Sequence, residues 1–485
     1  MDISRKHLAY GVLCTLVAGL VLRAGIGLAP PGWLAWVAPV PLLVLAYSIA
    51  GRARACAAVA VASLIAASHY GGYFLLVMPW PAAVLATCAQ ALVWFAIVMA
   101  TRRVVRRLRN GWSVLAYPVL WVAVDTLMAA LLPDGNWGSL AYSQADLLPL
   151  QQFASLFGTA GVLFVLCLVS STLALLLWRG HRLAHPVRLA AAVALLLAAV
   201  LGFGFWRLQA PVAATPLRVG LASIDDPIGP ATSPGHWRPI RDRYDALVAK
   251  LAADGAHLVL LPEKIAVLAP ADLQQWRAHF GGIARQHRLW LAMGMTEDGP
   301  HPHNVSWLFD PQGNLVEQYE KHFLAPPERA QQYARSDAFN LHAIDGQRYG
   351  LAICKDMHFA RFGRAYGQRE AAVMLVPAWD FAYRDGWLAS RMTATRGIEN
   401  GYAVVRAARE GLLTVSDAHG RMLVQARSAP LPGNAVIADL PVPARQATLY
   451  TRIGGLFGWL DVAAALGLLV VVRRPRTGPA GGQRG

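Results

Sequence analysis

Charged residues are scarce in this 485-residue chain. Asp, Glu, Lys and Arg make up only 15% of it, whereas hydrophobic residues make up 56%. This composition excludes an ordinary soluble protein of this length and indicates a membrane protein. Acidic residues are the scarcer sign, 28 against 44 Lys and Arg. Most of the basic excess falls in short loops between apolar runs, so we expect a lipid bilayer and no nucleic acid as partner.

Cysteine is also rare, with five in the whole chain. Cys14, Cys56, Cys88 and Cys167 lie inside apolar runs, where a thiol behaves as a small apolar side chain. Cys354 lies outside them and has no obvious disulfide partner. A lone cysteine is usually structural, so the surrounding sequence must show whether Cys354 is structural or catalytic. The nearby histidines follow no zinc spacing, and we expect no metal and no cofactor.

Apolar runs long enough to be candidate membrane spans recur along the chain. Seven of them precede a long, less apolar region and one follows it, at about 8–28, 31–50, 55–78, 81–101, 113–133, 156–178, 187–208 and 455–472. We therefore predict three parts. A transmembrane domain covers 1–208, a soluble domain covers 209–452, and a last transmembrane helix with its tail covers 453–485.

Lys and Arg are absent from alternate connections between these runs. The connections near 29–33, 79–80 and 134–155 contain neither residue, whereas the stretch 102–109 contains five Arg. Basic loops stay in the cytoplasm. The pattern therefore predicts that both termini are cytoplasmic and that residues 209–452 are extracytoplasmic. No small-residue cleavage site follows the first run, so we expect no removable signal peptide.

Strand-like and helix-like segments alternate through residues 209–452. Apolar runs such as LRVGLASI and AAVMLVPAW predict strands, and amphipathic segments such as ADLQQWRAHFGGIARQHR predict helices. No internal repeat is present. This alternation predicts an α/β layered domain in which helices cover a mixed sheet.

Three side chains with catalytic chemistry stand at or just past the ends of strand-like runs. They are Glu263 in HLVLLPEK, Lys321 in VEQYEKHFLAPPE and Cys354 in YGLAICKD. A thiol at neutral pH needs a base, and Glu263 is the candidate for that work. Lys321 carries a charge that can stabilise an oxyanion, an interaction worth roughly 3–4 kcal/mol. Each residue alone is typical of a solvated strand end, but the three together favour an acyl-transfer site.

The three motifs resemble the Glu–Lys–Cys signature of the nitrilase (carbon–nitrogen hydrolase) superfamily. With the membrane spans, nearly the whole chain resembles the apolipoprotein N-acyltransferase family. The resemblance implies an αββα sandwich inserted between transmembrane helices of the cell inner membrane, with its catalytic face in the periplasm. It also implies an acyltransferase that moves a fatty acyl chain from a phospholipid, through a Cys354 thioester, to the N-terminal amine of a diacylated lipoprotein.

Four more residues are expected to support the site: Glu328, Lys355, Asp356 and Trp379. Glu328 in APPE resembles the glutamate that closes the family's lysine motif, where it would hold the lysine or line the site. Trp379 follows a strand, and structural packing is as good an explanation for it as pocket lining. Lys355 would favour the thiolate if its ammonium approaches Cys354.

The chain also departs from the family, and three of the departures are single residues beside the motif positions. Lys264, Lys355 and Asp356 stand where the family usually has Thr or Ser, Tyr and Glu. These changes motivate a second hypothesis, a membrane-tethered carbon–nitrogen hydrolase in which water resolves the acyl-enzyme. A third hypothesis is a catalytically silent membrane scaffold, which requires that the three motif side chains do not converge.

Overall fold

A computed structural model describes residues 2–108, 110–180, 183–209, 214–229, 233–444 and 447–473. Arg109 and the predicted cytoplasmic tail after Arg473 lie outside these ranges. The chain forms two compact units, of which the first takes in 1–130, 163–198 and 456–485. The second takes in 131–162 and 199–455, a range that includes the whole predicted soluble domain, 209–452.

Apolar helices make up the N-terminal part of the chain. They are α1 Asp2–Gly25, α2 Gly32–Ala35, α3 Pro39–Ser48, α4 Arg52–Ala67, α5 Gly71–Val77, α6 Trp80–Leu108, α7 Ala116–Leu131, α8 Leu148–Gln151, α9 Ala154–Leu177 and α10 Pro186–Gln209. Pro186 suits the first turn of α10 because its fixed φ is helical and its missing N–H has no partner to lose there.

Six helical segments among the described residues are long and apolar enough to cross a membrane. They are Leu8–Gly25, Arg52–Val77, Trp80–Leu108, Gly111–Leu131, Ala154–Leu177 and Pro186–Gln209. The two other predicted spans, 31–50 and 455–472, correspond to the shorter apolar helices Gly32–Ser48 and Leu456–Val471. Every predicted span is therefore helical, and six meet the length that a bilayer requires.

The second unit contains two β-sheets. Their strands are β1 Ala214–Ser223, β2 Leu258–Leu260, β3 Val267–Leu268, β4 Trp290–Glu297, β5 His303–Phe309, β6 Leu315–Glu320, β7 Leu341–Ile344, β8 Gln347–Leu351, β9 Val373–Trp379, β10 Ala403–Arg409, β11 Leu412–Ser416, β12 Met422–Arg427 and β13 Asn434–Pro443. The first sheet has the order β13-β1-β2-β4-β5-β6, with β3 also beside β4, and the second has the order β12-β11-β10-β9-β8-β7. Strands β1, β2 and β4 pair in parallel, as do β8, β9 and β10.

The remaining helices lie in the C-terminal half of the chain. They are α11 Pro234–Ala253, α12 Leu273–His287, α13 Pro326–Ala330, α14 Ala360–Gln368, α15 Tyr383–Asn400, α16 Leu449–Ile453 and α17 Leu456–Arg473. Helix α15 ends at Gly401, whose φ of 79° is a left-handed conformation that suits glycine and turns the chain into β10.

Apolar side chains of the two sheets meet in a shared core. Val219 and Leu258 of the first sheet are buried in one cluster with Leu375 and Val405 of the second. Helices α11 and α12 cover the other face of the first sheet, and α15 packs against β10 and β11. The predicted α/β sandwich is confirmed. Strands β2, β6 and β8 end at one edge of it, and each leads to one of the three motif residues.

Candidate active site

Glu263 lies in a tight turn after β2, held between the two sheets. Its backbone N–H donates to the Ala378 carbonyl oxygen on β9 at 3.2 Å. Gly294 of β4 faces this turn closely, since a Cβ on it would lie 2.5 Å from the Glu263 Cα. Only glycine allows so close an approach. The turn also requires φ of 52° at Lys264, a left-handed conformation.

The Lys321 ammonium is buried between two carboxylates. Its Nζ lies 2.7 Å from Oε1 of Glu263 and 3.0 Å from Oε2 of Glu328. Burial alone would lower the pKa of Lys321, but the two carboxylates outweigh it and hold that pKa well above its usual range. The lysine is therefore a permanent cation at the site.

Asn304 and Glu328 complete this arrangement. The Asn304 Nδ2 donates to Oε1 of Glu263 and to Oε1 of Glu328, both at 2.6 Å. Glu328 lies in the first turn of α13, where its Oε2 accepts a hydrogen bond from the Ala325 N–H at 2.7 Å. Burial would raise the pKa of Glu328, but the ammoniums of Lys321 and Lys264 hold it at about 2. Glu328 is thus ionised at any working pH.

Lys264 supplies the second cation of the cluster. Its Nζ lies 2.7 Å from Oε1 of Glu328 and 4.3 Å from the ring centroid of Tyr333. We call Glu263, Lys321, Glu328 and Lys264 the charge cluster. It contains two carboxylates and two ammoniums, so it is neutral as a whole.

Cys354 follows β8 in a strained turn, with φ of 45°. Its half-buried Sγ lies 3.4 Å from the Trp379 carbonyl oxygen. Burial raises the pKa of the thiol, the Glu263 carboxylate raises it further, and the Lys321 ammonium lowers it only in part. Cys354 is therefore a neutral thiol at rest and loses its proton only when a base takes it.

Asp356 joins the Cys354 turn to the chain after Lys321. Its Oδ2 accepts from the Ile353 N–H at 2.9 Å and the Tyr319 hydroxyl at 2.8 Å. Its Oδ1 accepts from the N–H groups of Phe323 at 2.7 Å and His322 at 3.2 Å. Burial raises the pKa of Asp356 to about 6, against the opposing effects of Lys321 and these hydrogen bonds.

The Lys355 ammonium binds Asp134, an acidic residue of the 131–162 segment. It contacts the Asp134 carboxylate and donates to the Leu324 carbonyl oxygen at 2.9 Å. Arg329 binds the same two groups, at 3.1 Å and 2.8 Å. A carboxylate therefore shares this ammonium, and the predicted effect of Lys355 on the Cys354 thiolate stays a prediction.

Trp379 and Asp380 close the side of the site that β9 forms. The Arg409 guanidinium lies 4.1 Å from the Trp379 ring centroid and donates to the Lys264 carbonyl oxygen at 2.8 Å. Asp380 forms a buried bidentate pair with Arg406, at 3.0 and 2.5 Å. The carbonyl of Trp379 thus faces the thiol while its ring packs against an arginine.

One oxygen of the charge cluster has no role in these contacts. Oε2 of Glu263 is buried and makes no hydrogen bond to the described residues. It belongs to the carboxylate whose charge acts on the Cys354 thiol. The site thus combines a protonated thiol, a carboxylate oxygen that is able to accept its proton, and a fixed cation.

Comparison with known proteins covers both parts of the chain. A family model for the apolipoprotein N-acyltransferase N-terminal domain matches residues 18–172, and a carbon–nitrogen hydrolase model matches residues 237–440. The apolipoprotein N-acyltransferase of Geobacter metallireducens is 26% identical over 93% of this chain and 93% of its own length. That of Gloeobacter violaceus is 27% identical over 97% of this chain and 96% of its own. Both family models and these relatives support the apolipoprotein N-acyltransferase family, within the nitrilase superfamily, for this chain.

The chain's own apolar helices and the matched segment indicate a multi-pass membrane protein with a carbon–nitrogen hydrolase domain. The candidate site lies wholly within the segment that the hydrolase model matches, apart from Asp134. An amidase crystal structure from Nesterenkonia sp. also aligns with this chain, at 22% identity over 48% of this chain and 94% of the amidase, with a TM-score of 0.40.

Asn304, Asp134 and Arg409 are among the residues at the site that were not predicted from the sequence. Asn304 and Arg409 are buried polar residues in strands rich in apolar residues, and a buried polar group needs partners. That signal marks them as candidates without saying what they bind. Asp134 is an acidic residue in a connection that lacks any Lys or Arg. Its partners come from another part of the chain.

Proposed function

We propose that this protein is an integral membrane N-acyltransferase that moves a fatty acyl chain from a phospholipid to the N-terminal amine of a lipoprotein. The observation that carries the proposal is the arrangement around the Glu263 carboxylate. Its Oε1 lies 2.7 Å from the Lys321 ammonium, its buried Oε2 makes no hydrogen bond to the described residues, and its charge acts on the Cys354 thiol. Similarity to apolipoprotein N-acyltransferases over nearly the whole chain supports the reaction type and the substrates.

In the first half-reaction, Oε2 of Glu263 takes the proton of the Cys354 thiol. The Sγ forms a bond to the ester carbonyl carbon of the phospholipid, and the carbonyl oxygen becomes an oxyanion. Lys321 stabilises that negative charge, an effect worth roughly 3–4 kcal/mol for one well-placed donor. The carbon–oxygen bond to glycerol then breaks, and the proton on Glu263 moves to the departing oxygen. The products are a thioester and a lysophospholipid.

In the second half-reaction, the lipoprotein amine attacks the thioester carbonyl carbon. Glu263 takes a proton from the attacking nitrogen, and the carbon–sulfur bond breaks as the amide forms. That proton then returns to the Cys354 sulfur, so the enzyme is restored. Glu328 and Asn304 hold Lys321 and Glu263 through both steps, and Asp356 keeps the Cys354 turn next to them.

The arrangement of the chain in the membrane is part of the proposal. We place the protein in the inner (plasma) membrane with both termini in the cytoplasm, because Lys and Arg avoid alternate connections. The domain 209–452 then faces the periplasm. In this orientation the bilayer delivers the phospholipid and the lipid-anchored acceptor to the same face.

The test is intact-protein mass spectrometry of the detergent-purified protein after incubation with phospholipid. We expect one added acyl mass on the wild-type protein and none on Cys354→Ala. Cys88→Ala is the matched control, because it removes an exposed thiol of α6 and leaves the candidate site unchanged. If the wild-type protein stays folded and gains no acyl mass, or if Cys354→Ala gains it equally, the proposal fails.

A second arm of this experiment separates the transferase from the hydrolase. The acylated protein is mixed with a diacylated lipopeptide that has a free N-terminal amine, or with the same lipopeptide N-acetylated. A transferase loses its acyl mass to the free amine and gives a triacylated product. A hydrolase loses its acyl mass at the same rate in both mixtures and releases a free fatty acid.

A further inference from the structure

Lys264 lies inside the charge cluster but takes no part in the proposed proton transfers. Its side chain is only 10% exposed, and its Nζ contacts Oε1 of Glu328 at 2.7 Å. The backbone of the same residue is held by Arg409, which donates to the Lys264 carbonyl oxygen at 2.8 Å. The ring of Tyr333 lies 4.3 Å from the ammonium. The lysine is therefore fixed at both ends.

The charges of the cluster are unequally shared. Glu328 contacts both Lys264 and Lys321, whereas Glu263 contacts Lys321 alone among the described cations. A buried carboxylate requires a nearby opposite charge. Without Lys264, the single ammonium of Lys321 would serve two carboxylates, and the cluster would carry one net negative charge.

We propose that Lys264 is a positioning residue for Cys354 acylation, because it neutralises Glu328 and so leaves the Lys321 ammonium to Glu263 and the developing oxyanion. This inference rests on the proposed function, because acylation of Cys354 is the first step of that reaction. The lower pKa of Glu328 agrees with it, since Lys264 is one of the two ammoniums that cause that shift.

Other charged groups face the cluster from neighbouring elements. Asp380 and Arg406 neutralise each other, and Lys355 is paired with Asp134. The further titratable or charged neighbours are Cys354, Asp356, His358, Arg409 and Tyr333. In the part of the chain that the structure describes, Lys264 and Lys321 are the cations within ion-pair distance of Glu328.

The experiment measures the rate at which iodoacetamide alkylates Cys354 at pH 8 in detergent, by mass spectrometry of the Cys354 peptide. This rate follows the thiolate fraction, so one unit of thiol pKa changes it about ten-fold. Because no lipid is needed, the assay judges Lys264 even if phospholipid is not the donor. A wild-type protein that gains no acyl mass refutes the proposed function and leaves this test intact.

Four variants test the charge balance. We expect alkylation to fall about ten-fold or more in Lys264→Met, because the thiol then faces a net negative cluster. It should rise by a similar factor in Glu328→Gln, and the double variant should return to within about three-fold of wild type. Lys264→Arg keeps the charge and should also stay close to wild type.

The matched control is Lys250→Met, which removes an exposed lysine paired with Asp254 at 3.6 Å and should leave the rate unchanged.

A purely structural role predicts a loosened site, in which the thiol of Lys264→Met is alkylated as fast as in wild type or faster. That result overturns the inference, as does an equal loss in Lys264→Arg. If Lys264→Met does not fold, the same change is tested in the Glu328→Gln background. The Lys264→Met/Glu328→Gln double variant should then be alkylated about ten-fold more slowly than Glu328→Gln alone, and equal rates refute the proposal.

Discussion

Replacing Asp356 by Asn tests how firmly the Cys354 turn must be held. All four partners of this carboxylate are donors: the Tyr319 hydroxyl and the N–H groups of His322, Phe323 and Ile353. A carboxamide keeps one acceptor oxygen and turns an NH2 group toward two of the donors. The Tyr319 hydroxyl can rotate to accept, but the Ile353 N–H is then left unpaired next to the nucleophile.

The size of the effect follows from these contacts. A hydrogen bond to a charged group contributes roughly 1.5–3 kcal/mol, and an unsatisfied buried donor costs about 1–3 kcal/mol. The Asn variant no longer buries a charge, which offsets part of the loss. We expect a net destabilisation of about 2–4 kcal/mol, which corresponds to a drop of roughly 5–15 °C in the unfolding midpoint for a domain of this size.

The pH dependence of this effect has a definite sign. Because the folded pKa of Asp356, about 6, lies above its usual 3.8, the protonated form is favoured in the folded state. This contribution to stability is full below pH 3.8 and is lost as the pH rises through 6. Asn does not titrate. The difference in unfolding midpoint between wild type and Asp356→Asn should therefore be larger at pH 4 than at pH 7.

The assay is thermal unfolding followed by Trp fluorescence in detergent, together with the rate of Cys354 acylation. A small displacement of the nucleophile should slow acylation by about 10- to 100-fold. Asp439→Asn is the control, because this residue is exposed and pairs with Arg218 at 3.5 Å on the surface. An Asp356→Asn protein that unfolds at the wild-type temperature and is acylated at the wild-type rate would refute the reasoning.

Further predictions concern the groups around the charge cluster. The pKa of Glu328, about 2, lies below its usual 4.5, so its stabilisation is present above pH 4.5 and lost as the pH falls toward 2. Glu328→Gln should therefore flatten the acid side of the plot of unfolding midpoint against pH. Gly294→Ala places a Cβ 2.5 Å from the Glu263 Cα, so it should cost about 1–3 kcal/mol in thermal unfolding and slow acylation strongly. Lys355→Met and Asp134→Asn each remove one partner of the same ion pair. The sum of the two single losses in unfolding free energy should therefore exceed the loss in the double variant by about 1 kcal/mol.

Each of these predictions has an outcome that would contradict it. Glu328→Gln contradicts the pKa argument if its acid slope equals that of wild type. Gly299→Ala is the control for Gly294, because a Cβ on Gly299 would meet no atom within 4 Å. Wild-type acylation in Gly294→Ala would show that the turn tolerates a side chain. Strictly additive losses for Lys355 and Asp134 would show that their contact does not stabilise the fold.

The strands that lead to the site could be predicted from the sequence. Glu263, Lys321 and Cys354 could be singled out because each follows an apolar strand run, and the structure brings all three to one edge of the sandwich. Their partners were not predictable in the same way. Asn304 contacts both Glu263 and Glu328 only because β5 lies between β4 and β6, and strand order is not read from periodicity.

Strands β3, β7 and β13 were not predicted from the sequence, and for β13 the reason is local. Strand β13, Asn434–Pro443, pairs with β1 over ten residues, although its sequence predicts no strand. Its last three residues are Pro-Val-Pro. Proline cannot donate to a ladder, so it lowers the strand signal, but an edge strand tolerates it. The edge position of β13, which the sequence does not reveal, resolves the conflict.

The position of the Lys264 ammonium could not be predicted from the sequence pattern, because it depends on a local turn of the backbone. In a strand, successive side chains point to opposite faces, so consecutive Glu263 and Lys264 would be expected to point apart. The chain leaves β2 before these residues and takes a left-handed φ of 52° at Lys264. This turn lets the Glu263 carboxylate bind Lys321 while the Lys264 ammonium binds Glu328 in the same cluster. A non-glycine residue in that conformation is strained, so the contacts that the turn creates must compensate. The ammonium of Lys264 supplies such a contact, since it gives a buried carboxylate its second cation.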